Sequence, residues 1–151
     1  KMARKKDSVN KYDRIQSKSK GQFVQLPNEL IESDAYRSLP SGARCLLIEF
    51  MRIVFPDRNG KIGMSHDRAA TLVNCTKKTA GKYIEMLLQR GFLKLVKGEL
   101  WQERKAREYA LTAASRQGRS PTYEYLDWRE GDNFFGKEQL FAGVNQTPEL
   151  V

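Results

Sequence analysis

The chain has 151 residues, a formal net charge of +9, 40% hydrophobic residues and 30% charged residues. This supports one domain with a modest core and tails. With no run of 18 apolar residues and no apolar centre near the N-terminus, neither a membrane span nor a secretory signal is expected.

Two cysteines, Cys45 and Cys75, and a single histidine, His66, are too few for a zinc site of about four ligands. They read as free, buried thiols in a reducing cytoplasm, although spacing alone leaves a bridge between them open. Catalysis finds no visible machinery. The histidine has no nucleophile beside it, the carboxylates are scattered rather than clustered for two metals, and no GxxxxGK phosphate loop occurs. The expectation is a protein that is not an enzyme and takes no cofactor or metal.

The distribution of charge is more telling than its sum. Residues 1–20 carry +6, residues 21–60 carry −1, residues 61–107 carry +7 and residues 108–151 carry −3. Positive charge segregated in this way attracts a polyanion over about 8–10 Å.

In chain order, residues 1–21 read as a basic disordered arm. A short extended segment from Phe23 ends at Pro27, and Asn28 is placed to cap a short helix through Ser33. Another helical turn covers Ser33 to Leu39. Pro40 and Ser41 open the first long helix, whose Ala43, Leu46, Leu47, Phe50, Met51 and Val54 recur on one face, widened by Cys45, Ile48 and Ile53. The run from Pro56 to Gly60 ends it with turn residues.

Lys61 to Met64 reads as a short strand. Ser65 is a good N-cap for a helix packing through Ala69, Ala70, Leu72 and Val73. Asn74 and Cys75 make a tight turn, since Asn tolerates the left-handed conformation. Thr76 caps the next helix, in which Ala80, Tyr83, Ile84, Leu87 and Leu88 form an apolar stripe. Lys77, Lys78, Gly81, Lys82 and Glu85 lie on the other face. Gly91 is placed as the residue after this helix, with Phe92 packing back. Alternation from Phe92 to Val96 and from Tyr109 to Leu111 predicts a hairpin, with Trp101, Arg104, Lys105 and Arg107 on its charged tip. The domain so defined is 22–112. Residues 113–151 read as a linker and an aromatic, acidic tail. Its Tyr123, Tyr125 and Trp128 either dock on the domain or serve a partner, with docking the favoured reading.

Two short helices around a turn followed by a basic hairpin match the layout of a helix that enters the major groove. Thr76, Lys77, Lys78 and Thr79 lie at a helix N-terminus, where free N–H groups and the dipole favour phosphate. Lys78 and Lys82 are four apart and reach the same side. Gly81 would let the helix backbone approach base edges. Ser65 and Arg68 would hold flanking phosphates, and Arg104, Lys105 and Arg107 the backbone or minor groove.

The order FVQLPNELIESDAYRSLPSGARCLLIEF, a turn with NG, MSHDRAATLVNCTKKTAGKYIEMLLQRGFLKL and a closing YALT resembles the winged helix-turn-helix proteins of bacterial mobile elements. These include small regulators and the DNA-binding domains of plasmid and phage replication initiators. The resemblance covers about residues 22–112. It implies an α+β, mainly helical fold with a β-hairpin wing after Phe92, and double-stranded DNA as partner. The long tip at residues 97–107 departs from the pattern. The expected function is transcriptional regulation by a cytoplasmic, nucleoid-associated protein, plausibly a homodimer. Alternatives are a replication-initiation or accessory module and a protein-binding winged helix without nucleic acid.

Overall fold

A computed structural model describes residues 23–97 and 107–136. The fold is α+β and mainly helical, with helices α1 (Asn28–Glu32), α2 (Asp34–Arg37), α3 (Ser41–Ile53), α4 (His66–Val73) and α5 (Lys77–Gln89). Three strands, β1 (Ile62–Gly63), β2 (Leu93–Lys97) and β3 (Glu108–Leu111), form an antiparallel sheet in the order β1-β3-β2. A 3-10 turn follows at Glu124–Asp127.

The helix boundaries follow local chemistry. Ser33 separates α1 from α2, and its hydroxyl accepts from the Tyr36 N–H. Asn28 is not a cap. It is the first residue of α1, and Pro27 stands before it without a side-chain hydrogen bond. Pro27 does the work differently: its carbonyl accepts from the N–H groups of Leu30 and Ile31. α3 starts behind Pro40, whose φ of −65° already suits a helix start.

The turn between α4 and α5 closes on Asn74, which adopts φ 55°, ψ 57°. At the far end of α5, Gly91 takes φ 82°. The Gly91 N–H donates to Leu88 and the Phe92 N–H to Leu87. This pair of bonds satisfies carbonyls the helix end would otherwise leave free, and it turns the chain directly into β2.

The core joins all these elements. Leu46, Leu47 and Phe50 of α3 meet Ala69 of α4, Ala80, Ile84, Leu87 and Leu88 of α5, and Phe92, Leu93, Tyr109 and Leu111 around the sheet. Phe50 and Tyr109 pack edge to face at 5.8 Å. Cys45 departs from expectation. It lies on the exposed side of α3, so it neither widens the apolar face nor is buried, and both thiols are free.

The core does not end at Thr112. Tyr125, Trp128 and Phe135 of the following segment are buried in the same cluster. Tyr125 stacks on Phe92 at 4.8 Å. Arg90 lies over the Trp128 ring at 5.2 Å. Phe134 donates its N–H to the Gln89 carbonyl. Tyr125 and Trp128 therefore dock on the domain as expected, whereas Tyr123 stays exposed, and the sequence boundary at 112 divides one core. Glu124 adds an ion pair with Lys94 of β2 at 2.8 Å.

Candidate nucleic-acid interface

α5 is amphipathic in the way its stripe requires. Ala80, Ile84, Leu87 and Leu88 are at most 1% exposed. Lys78, Lys82 and Glu85 are exposed on the opposite side, separated by four and three residues and so aligned along one ridge. Neither Lys78 nor Lys82 forms an ion pair with a described residue.

Both helices of the pair begin on this side with a working cap. Ser65 Oγ accepts from the Arg68 N–H at 3.1 Å. Thr76 Oγ1 accepts from the Thr79 N–H at 3.2 Å and donates its own proton to Thr79 Oγ1 at 2.9 Å. The Thr76 carbonyl takes the Ala80 N–H. The N–H groups of Lys77 and Lys78 lie ahead of the intrahelical ladder, at the positive end of the helix dipole.

Lys77 behaves differently from its neighbours. Its Nζ sits 3.7 Å from Asp67 Oδ2, and the pair links the first turns of α4 and α5. Both side chains are mostly exposed, 65% and 77%, so the pair is screened and weak. It places Lys77 between the two helix starts rather than on the Lys78–Lys82 ridge.

Gly81 has a role that spacing did not reveal. A Cβ there would lie 3.0 Å from Cε1 of His66, the first residue of α4. Gly81 is half-buried against the imidazole. Its lack of a side chain leaves room for the His66 ring between α4 and α5. His66 is thereby half-buried and part of the helix-helix contact.

Of the remaining expected contacts, Ser65 and Arg68 are exposed at the start of α4. Arg107 is half-buried at the foot of the hairpin, just before β3. Trp101, Arg104 and Lys105 lie outside the described residues.

A separate acidic group lies elsewhere. Glu29, Glu32, Ser33, Asp34, Leu126 and Arg129 line an open depression of about 460 Å³. The segment bearing Leu126 and Arg129 packs at the C-terminal end of α5 through Trp128 and Phe134. With 13 residues, α5 is about 20 Å long, so its basic start and this acidic region are separated by roughly one helix length.

Among the described residues no helix is long and apolar enough to cross a membrane. No family model, curated protein or solved structure matches the chain.

Proposed function

We propose that the protein is a winged helix-turn-helix protein that binds double-stranded DNA and regulates transcription in a bacterium or mobile element. The observation that carries this reading is the exposed Lys78–Lys82 ridge on a helix whose opposite side is buried at Ala80, Ile84, Leu87 and Leu88. α5 would enter the major groove by its exposed ridge, with Lys78 and Lys82 toward the duplex. Ser65, Arg68, Thr76, Lys77 and Thr79 would meet the flanking phosphates through side chains and helix N-termini. The hairpin between β2 and β3 would be the wing, with Arg104, Lys105 and Arg107 on the backbone or minor groove. A symmetric pair of copies would double what one short helix contributes.

The partner follows from charge and shape together. A duplex offers a dense row of phosphates that rewards clustered lysines by counterion release. The acidic segment 124–132 sits at the other end of α5, where it does not compete with that surface. Tyr125, Trp128 and Phe135 are part of the protein's own core, so these three aromatics are not offered to a partner.

The test is fluorescence anisotropy with mixed-sequence duplex DNA across a salt series. Binding should weaken steeply with salt. Lys78→Ala and Lys82→Ala should each weaken it and reduce the log–log salt slope by about 1. Both sites are exposed, so thermal stability should change by no more than about 0.5 kcal/mol. Absence of salt-sensitive binding at low ionic strength would overturn the proposal in favour of a protein-binding module.

A further inference from the structure

The ridge of α5 carries a carboxylate as well as two ammonium groups. Glu85 is exposed, three residues beyond Lys82 and seven beyond Lys78. Its one hydrogen bond to a described residue comes from Gln89 Nε2, at the long distance of 3.5 Å. It forms no ion pair with any described residue, although Lys82 stands one turn away. A free carboxylate on a surface that faces phosphates is repulsive, so affinity alone does not account for it.

Lys78, Lys82 and Glu85 project from successive turns of one exposed face. With that face in the major groove, the three side chains would meet the edges of neighbouring base pairs. Lysine donates to guanine O6 and N7, whereas a carboxylate accepts only, and it finds a donor in the cytosine N4 amino group. Before guanine, with acceptors at both O6 and N7, it would be left repelled.

Resting on the DNA-binding reading above, we propose that Glu85 is a specificity-determining residue that selects cytosine next to guanines held by Lys78 and Lys82. It trades affinity for discrimination. Its repulsion toward phosphates and toward guanine penalises wrong sites more than its single contact strengthens the right one.

The experiment selects bound duplexes from a randomised pool with the full chain and with Glu85→Gln and Glu85→Ala, circular dichroism confirming that each folds. The wild type should enrich a C·G pair at one fixed position beside guanines. Glu85→Gln should shift that position toward adenine, because a carboxamide pairs with adenine N6 and N7. Glu85→Ala should lose discrimination there by about fivefold or more, the lower end of what one good base contact gives. Both variants should bind unselected DNA more tightly. An enriched motif identical in all three proteins overturns the role of Glu85 and leaves DNA binding standing. If the wild type enriches no motif and shows no salt-sensitive binding, the functional reading itself has failed.

Discussion

The side chain of Asn59 is 1% exposed although it lies in the loop between α3 and β1. Its Oδ1 accepts from the Leu111 N–H at 2.7 Å, and its Nδ2 donates to the carbonyls of Leu111, Ala114 and Ser115 at 2.9–3.1 Å. One amide thus ties the end of β3 and the turn beyond it to a loop more than 50 residues earlier. Composition marks Asn59 only as a turn former, because the partners that bury it are remote in sequence. Asn59→Ala should leave the Leu111 N–H without its partner in the interior. The expected cost is on the order of 3 kcal/mol, since a buried unsatisfied group costs about 1–3 kcal/mol and several bonds are lost here. Urea denaturation checks it, and a near-neutral result would show that water replaces the amide. Thr112 works similarly from the other side, donating its hydroxyl to the Gly91 carbonyl at 2.7 Å while its own carbonyl receives the N–H groups of Thr122 and Tyr123.

At the scale of elements, α5 is held between two helices at glycine contacts. Gly81 faces the His66 ring of α4. Gly42 of α3 faces Tyr83 of α5, where an added Cβ would overlap the ring and lie 2.6 Å from Cζ. At both contacts a ring of one helix lies against the bare backbone of the other. Gly42→Ala should therefore destabilise the fold by about 1 kcal/mol, because the outer end of the half-buried Tyr83 ring must turn away while alanine's helix propensity offsets part of the loss. Tyr83→Ala should recover part of that loss in the double mutant, so the two changes should be non-additive when measured in a thermal-melt cycle. Purely additive effects would mean that α3 and α5 do not touch there. The stripe and caps of α4 and α5 were legible in the sequence because they are local: Ser65, Asn74, Thr76 and Gly91 act on N–H and C=O groups within a few residues. The glycine contacts were not, since each depends on a residue of a different helix. For the same reason neither the His66 contact of Gly81 nor the pairing of Lys77 with Asp67 was legible.

For the molecule as a whole, the segment after β3 completes the core. Tyr125 is its central member, with the ring stacked on Phe92 and edge-on to Tyr123 at 6.3 Å. Burial pushes its phenol up to about 12, with the charges of Tyr123 and Glu29 adding to the rise. An unfolded tyrosine titrates near 10. Between about pH 10 and 12 the folded protein therefore holds a proton that the unfolded chain has released. The stabilising contribution is fully present below pH 10 and is lost as pH rises through about 12. Denaturation midpoints should fall across this window in the wild type and fall less in Tyr125→Phe. Parallel curves would place the ionisation in another residue.

Residue types near one another in the chain were enough to determine that the protein builds paired short helices, where each starts and stops, and which side of α5 is apolar, because periodicity and capping are nearest-neighbour physics. The segregation of positive charge into residues 61–107 was equally plain from composition. Only tertiary packing decided that β1 joins β3 into a three-stranded sheet, that Asn59 is an interior latch, that Cys45 stays exposed, and that aromatics beyond Thr112 belong to the core. Each of those outcomes depends on groups brought together from distant parts of the chain, and the free energy of burying them has no signature in any one local stretch.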